Sequence, residues 1–257
     1  MVNLDQFATV NQTQAHNSRS DRYNFVSTKQ VLEVFKAHGW LPVAVQETKV
    51  RNYSKQGFQK HLVKLRQSDQ AELKNVGDEI LELSLKASHD GSSTWELLLG
   101  LFRLVCGNGV IATIGDFGSF RILHKGMTDQ KVADAILHVL DYGPNLLERV
   151  KEFKAIPLTD SMQNHFARQA IELVNEGKEF IIKPEDLLAS RRPEDNASDL
   201  WTTFNRVQEN VIRGGIARTT KQGKSRKMRQ VKNIDRNVKL NQGLWKIADQ
   251  LAIEYMN

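Results

Sequence analysis

The chain has 257 residues, 40% of them hydrophobic and 26% charged, a balance that supplies a core and excludes wholesale disorder. It carries 36 basic against 30 acidic residues, a formal net charge of +6. The single cysteine, Cys106, excludes an internal disulfide and a zinc centre built on several thiolates. No apolar run reaches the length of a membrane span, and the opening MVNLDQFATVNQTQ has no signal-peptide pattern. These features together point to the reducing cytoplasm and to no membrane partner.

In chain order, residues 1–20 are polar and aperiodic and read as a flexible arm. Thr28 reads as the cap of a helix with Val31, Leu32, Val34 and Phe35 on one face and Gly39 at its end. The run LPVAVQETKVRN (41–52) places Leu41, Val43 and Val45 on one side of a strand. FQKHLVKLR (58–66) alternates again, with Phe58, Lys60, Leu62, Lys64 and Arg66 on one face and Gln59, His61, Val63 and Leu65 on the other. EILELSLK (79–86) does the same with Leu81, Leu83 and Leu85. Polar links too short for parallel crossovers predict an antiparallel meander. One face of it can stay wet, so Arg51, Lys60, Lys64 and Arg66 are expected to line a basic surface.

SHDGSST (88–94) is a turn by composition, and residues 95–105 are apolar on all sides, which leaves strand and buried helix undecided. Gly107-Asn108-Gly109 reads as a hairpin turn, and SFRILHK (119–125) as the last strand of the sheet region. Helical spacing then begins. Residues 128–150 carry Val132, Ala135, Ile136, Val139 and Leu140, with a break or kink expected at Gly143-Pro144. Residues 159–175, capped by Thr159 or Ser161, present Phe166, Ala170, Ile171 and Val174. A short turn at 184–188 precedes helices at 199–212 (Trp201, Phe204, Val207, Val211) and 234–255 (Val238, Leu240, Leu244, Ile247, Leu251). The expected fold is α+β, with the arm at 1–20, an antiparallel sheet and flanking helix at 21–126, and a helical region at 127–257 continuous with the sheet as one domain.

The positive charge is local. Residues 213–232 hold Arg213, Arg218, Lys221, Lys224, Arg226, Lys227, Arg229 and Lys232 with no Asp or Glu, so the rest of the chain has 28 basic against 30 acidic residues. Such a run repels itself and seeks a polyanion. Gly214, Gly215 and Gly223, with Met228 as the one large unbranched apolar residue, predict a mobile loop between two helices. Contacts from Lys and Arg to phosphate are salt-sensitive and carry no base information, which points to a sequence-tolerant reader of DNA or RNA. Tyr23, Trp40, Tyr53 and Phe58 lie near the basic strands and offer stacking platforms of the kind single-strand binders use, although Trp40 and Phe58 read better as core.

Signals for catalysis are weak. His89-Asp90-Gly91 fits an Asx turn better than a dyad. Cys106, between apolar residues and a glycine turn, fits a small buried side chain better than a nucleophile served by His89 or His124. No histidine spacing suggests zinc, and neither GxxxxGK[ST] nor GxGxxG occurs, so no cofactor and no enzyme is expected.

The strings SRSDRYNFVST (18–28), QETKVRN (46–52), GFQKHLVKLR (57–66), SHDGSSTWELLLGLFRLVCGNGV (88–110), HKG (124–126), LWTTFNRVQENVIRGG (200–215) and NIDRNVKLNQGLW (233–245) resemble, in that order, the phage- and plasmid-related family known as domain of unknown function 932. The likeness covers most of the chain from Ser18 onward; Ala87 departs from the asparagine that precedes Ser-His-Asp-Gly in that family. It implies a mobile genetic element in a bacterial host cell and supplies no activity. In element order alone, the helix ending in Gly-Trp followed by three antiparallel strands is similar to the core of Rad fifty-two-like single-strand annealing proteins, which would imply a homo-oligomeric ring without a cofactor.

The expectation is a non-catalytic nucleic-acid-binding protein of a phage, prophage or plasmid, favouring single-stranded DNA and assisting annealing, recombination or replication. In it, residues 213–232 grip phosphate and Arg51, Lys60, Lys64 and Arg66 extend the track. The alternative is a host-interaction or anti-defence protein whose basic loop docks on an acidic protein partner. A cysteine-dependent enzyme built on Cys106 stands third.

Overall fold

The computed structural model describes residues 2–68, 79–103, 109–111, 119–122, 128–178 and 180–256. Cys106, His124 and the Gly107-Asn108 turn lie outside the described residues. The chain divides into two compact units, Met1–Pro144 and Asn145–Asn257. Among the described residues no helix is long and apolar enough to cross a membrane.

In the first unit, helix α1 (Thr28–Ala37) is capped by Ser27, whose hydroxyl accepts from the Gln30 amide at 3.4 Å, while Thr28 is the first helical residue and turns inward. Gly39, at φ +79, lets the chain reverse into β1. Strands β1 (Trp40–Glu47), β2 (His61–Gln67), β3 (Glu79–Ala87) and β4 (Trp95–Arg103) form the expected antiparallel meander, and β5 (Gly109–Ile111) and β6 (Ser119–Ile122) both pair with β4. The apolar run left undecided by periodicity is therefore a strand. It is apolar on both faces because it lies inside the sheet, between β3 and the β5/β6 edge, and is buried nearly throughout. Pro42, which has no N–H to give, sits at the edge in β1, where the register shifts between Pro42 and Ala44.

Alternation sends Val63, Leu65, Leu83, Leu85, Leu97, Leu99 and Leu101 to one face of the sheet, where all are buried. The opposite face carries Lys64, Arg66, Glu82, Lys86 and Glu96, paired ion by ion across neighbouring strands. The segment expected to be a flexible arm is packed against this unit. Val10 and Thr9 are fully buried, Thr9 Oγ1 donates to Glu47 Oε1 at 2.6 Å, and the His16 amide donates to the His89 carbonyl at 3.0 Å. Its polar residues answer β1 and the turn at 88–94, which is why they lack the periodicity of a helix or strand.

Helix α2 (Asp129–Ala155) carries Pro144 inside it, so of the break or kink expected there the break does not occur, and the division between the units falls at that residue. The second unit adds α3 (Asp160–Asn175), capped by Thr159, then β7 (Phe180–Ile181), α4 (Pro184–Leu188), α5 (Leu200–Arg213), β8 (Ala217–Thr220), β9 (Ser225–Lys227) and α6 (Ile234–Met256). Its core is aromatic: Trp201 stacks on Phe204 at 5.5 Å, and Trp245 meets Phe204 edge-on at 5.8 Å and Phe153 at 5.1 Å. Helix α5 is the centre of this unit, buried from Leu200 to Ile212 apart from Arg206.

Candidate nucleic-acid interface

Helix α5 fixes where the basic segment begins. Asp199 caps it, accepting from the Thr202 amide at 2.8 Å, and Gly214 ends it at φ +67, ψ −148, a conformation that L residues with a side chain avoid. A Cβ at this position would stand 2.6 Å from the Met228 carbonyl oxygen, so only glycine lets the returning strand approach. Arg191 holds the junction by donating to Asn210 Oδ1 at 2.8 Å and to the Gly214 carbonyl at 2.5 Å. The buried carboxylate of Glu209 is answered by Arg192 at 2.6 Å and Arg213 at 3.0 Å. Arg213 thus belongs partly to the fold.

From this anchor the segment forms a β-hairpin, not a mobile loop. Gly215 N donates to Met228 O at 2.9 Å, Met228 N to Ile216 O at 2.8 Å, and Val231 N to Ile212 O at 2.8 Å. Strand β8 pairs with β9 as Ala217 with Lys227, Arg218 with Arg226, and Thr219 with Ser225, and β7 extends the sheet by pairing with β8. Gly223, at φ +81, closes the turn and donates to Thr220 O at 2.9 Å. The glycines that argued for mobility are the tight positions of a hairpin, and the one short signal available for it was the run Ile216–Thr220, with its Ile and two Thr.

The hairpin displays its charge. Lys221, Lys224, Arg226, Lys227, Arg229 and Lys232 are exposed, and Arg218 is half-buried with its guanidinium 4.5 Å from the centre of the Phe180 ring. Buried Met228 is the apolar pin beneath these cations. At the foot of the hairpin lies a cavity of about 260 Å³, with Phe180, Arg218, Arg229, Lys232 and Arg236 in its wall. Phe180 and Arg236 were not singled out from sequence. Phe180 sits in a two-residue strand, and Arg236 is one charge among many at the start of α6, where Asn233 Oδ1 accepts its amide at 2.9 Å. Beside the cavity, Glu176 accepts from Lys239 at 3.1 Å and lies 3.6 Å from Arg236; the Lys239 hydrogen bond and these two charges hold its carboxyl below the usual range.

The cations expected on the sheet belong elsewhere. They share the anticipated face, but Lys64 donates to Glu82 Oε1 at 2.6 Å, and Arg66 to Oε2 at 2.9 Å while covering the Phe102 ring at 3.6 Å. Glu82 is 2% exposed, so this pair neutralises a buried carboxylate and does not form an open basic surface. Lys60 precedes β2 and is half-buried, with its carbonyl accepting from the Thr48 amide at 2.9 Å; Arg51 is exposed. Tyr53, in the turn between β1 and β2, is 86% exposed, whereas Trp40 is fully buried and Phe58 packs edge-on against His16 at 5.2 Å. Tyr23 donates to the Ser88 carbonyl at 3.0 Å, and burial with the nearby Asp90 charge pushes its phenol up to about 12.

His89 and Asp90 point to separate partners. His89 Nε2 lies 2.8 Å from Thr9 O and 3.3 Å from Thr28 Oγ1. Asp90 Oδ1 accepts from the Ser92 amide at 2.9 Å and Oδ2 from Lys55 at 3.3 Å, the Asx-turn arrangement. Burial works against the Asp90 charge, and the Ser92 and Lys55 contacts overcome it, holding the carboxyl below its ordinary value. Among the described residues no group of three His, Cys, Asp or Glu stands together as a metal site.

Comparison with known proteins places the chain by sequence. The family model described as a domain of unknown function (DUF932) matches residues 15–245. The chain is 33% identical over 239 residues to the UPF0380 protein YafZ of Escherichia coli (strain K12), covering 93% of this chain and 86% of that protein. It is similar to the UPF0380 protein YfjQ of the same strain to the same extent, 33% over 239 residues with the same coverage. No solved structure matches, so the fold-level likeness to annealing recombinases gains no support.

Proposed function

The chain belongs to the DUF932 family, and from that premise we propose that it is a nucleic-acid-binding protein that grips the phosphate backbone through its basic hairpin, with single-stranded DNA as the polymer it serves. The observation that carries this reading is the pairing of Arg218 with Arg226 directly across β8 and β9. Like charges facing each other across a hairpin oppose its formation. They stand among six exposed Lys and Arg in a segment with no Asp or Glu. A surface built at this electrostatic cost is relieved by a polyanion, whose phosphates release counterions as they meet each cation. The hairpin also carries these charges on an ordered backbone, which lowers the ordering cost of binding relative to a mobile loop. The setting in a phage, prophage or plasmid rests on the family resemblance alone, and annealing is not part of the proposal.

Salt dependence tests it. In the full chain, Arg226, Lys227 and Arg229 are exposed and can be replaced together by Ala without opening the core. Affinity for a fluorescent single-stranded oligonucleotide, measured by anisotropy across a salt series, is expected to show a steep log–log slope. The triple variant flattens that slope by about 2, at roughly 0.7 for each phosphate no longer neutralised. No binding to any polynucleotide at low salt, or an unchanged slope in the variant, refutes the reading.

A further inference from the structure

The cavity at the foot of the hairpin combines two chemistries that a backbone-gripping surface does not need. One part of its wall is apolar, with Val174, Phe180, Ile182, Met228 and Val231; the other holds Lys178, Arg218, Arg229, Lys232 and Arg236. Among the described residues that line it, none is Asp or Glu. Its volume of about 260 Å³ lies just below the roughly 300–1,000 Å³ of small-molecule sites, which admits a group of nucleotide size and no more of a polymer. Arg236 in the first turn of α6, and Asn233 just before that helix, border it as well. A second cavity, about 320 Å³ beside Ser161, His165, Glu254 and Tyr255, has an acidic residue and no Lys or Arg, so it does not share this combination.

We propose that the cavity at the hairpin receives one unpaired nucleotide of the bound strand, its phosphate against Arg229, Lys232 and Arg236 and its base against Phe180 and Arg218. Two features favour this occupant over an acidic peptide, and a third favours an unpaired strand over a duplex. A carboxylate side chain uses the cations and leaves the apolar wall empty, whereas a nucleotide joins a flat ring to an anion and uses both. Arg218 already lies over Phe180 at 4.5 Å, and both aromatic rings and guanidinium planes are surfaces on which bases stack. Paired bases are held inside the duplex stack and do not reach a cavity, so the site favours single strands. The inference rests on the hairpin's binding of nucleic acid. It goes further by assigning strand preference to Phe180 and Arg218, which the exposed cations cannot supply because phosphate contacts do not report pairing.

The test uses the full-length chain with a single-stranded oligonucleotide carrying 5-iodouracil and the same sequence as a duplex. Photocrosslinking of the wild-type protein, followed by mass spectrometry, is expected to place the single-strand adduct on the peptide containing Phe180 or Arg218, with no such adduct from the duplex. In anisotropy, Phe180→Leu keeps most of the apolar volume and removes the ring; single-strand affinity should fall by about 5- to 150-fold, the range for removal of one base–aromatic stack, while duplex affinity and the salt slope stay as in wild type. Adducts confined to residues 221–227 or to Tyr53 overturn the inference and leave the proposed function intact; equal wild-type affinity for single strand and duplex overturns the inference and the single-strand part of the proposed function, and leaves the hairpin's grip on phosphate. Failure to bind any polynucleotide overturns both. Because the crosslink is read on wild-type protein, the result stands even if the variant folds poorly.

Discussion

Acid should weaken the first unit through one residue, His61, and the size of the effect follows from its surroundings. Its imidazole is fully buried; burial drives its pKa down from 6.5 to about 4, with the Gln59 carbonyl pulling weakly the other way. The neutral ring is fully used. Nδ1 lies 3.2 Å from Gln59 O and Nε2 lies 2.9 Å from Thr28 Oγ1, and the hydrogen-bond network assigns the proton to Nδ1, leaving Nε2 to accept the Thr28 hydroxyl. Protonating Nε2 turns an acceptor into a second donor facing that hydroxyl, with the ring of His89 only 5.2 Å away. The sign then follows from linkage. The unfolded chain takes up this proton near 6.5 and the folded chain only near 4, so between those values the unfolded state binds more protons and stability falls as pH falls. The loss is absent above the upper value, reaches a slope of about 1.4 kcal/mol per pH unit inside the window, and totals about 3 kcal/mol below it. That is a large part of a typical domain stability of about 5–15 kcal/mol.

Native-state hydrogen exchange of β2 amides, corrected for intrinsic rates, gives the opening free energy from about pH 7 down to about pH 4.5. Wild type should lose stability across that range, and His61→Gln, weaker at neutral pH, should lose distinctly less over the same interval. Parallel pH profiles for the two proteins would refute the assignment of the loss to this histidine.

Two further outcomes test a buried charge and a close backbone approach that serve the fold. Glu82→Gln strips Lys64 and Arg66 of their shared buried partner and should lower the stability of the first unit by about 3 kcal/mol, read as a lower urea midpoint. The salt slope of nucleic-acid binding should not change in that variant. Gly214→Ala forces a side chain into ψ −148 at positive φ and 2.6 Å from a backbone oxygen, which should cost about 2–3 kcal/mol. Gly223→Ala has the same sign of φ with open space around it, and should cost only about 1 kcal/mol; equal losses in thermal denaturation would show that the close approach of Met228 is not the cause.

Elements that obey one period were readable. The alternation of Leu81, Leu83 and Leu85 and the spacing of Trp201, Phe204, Val207 and Val211 each declare a buried face, and the structure buries Leu83, Leu85 and all four residues of the helix. Three features escaped because their causes are non-local. The first 20 residues look aperiodic, yet Thr9 and His16 are placed by bonds to Glu47 and His89, which lie 38 and 73 positions away. The hairpin hid behind its own charge, since short strands rich in Arg, Lys and Ser read as coil until the α5 end and Met228 pin them together. Alternation put Lys64 and Arg66 on the right face, but an open basic surface was wrongly inferred from charge: their partner, Glu82, comes from the next strand and is buried beneath these two half-buried cations.

That last point limits what the first unit can add to a nucleic-acid track. Lending Lys64 and Arg66 to phosphate would leave the Glu82 carboxylate buried and unmatched, a penalty of about 3–5 kcal/mol, against about 1 kcal/mol regained from a solvent-exposed ion pair. The exchange is unfavourable by several kcal/mol, so these two residues stay with the sheet whatever polymer is present. Lys224, Arg226, Lys227 and Arg229 face no such choice, because they are exposed in a segment that has no acidic residue. What the first unit offers instead is the turn from Thr48 to Lys60, which has four basic residues and no acidic one, with exposed Arg51 and the open ring of Tyr53. Under the proposed function, Arg51→Ala should therefore weaken single-strand binding and its salt slope slightly, at about 0.7 for one phosphate, while Lys64→Met should change the slope by nothing measurable; a larger effect from Lys64→Met in the same anisotropy series would refute the assignment of its charge to Glu82.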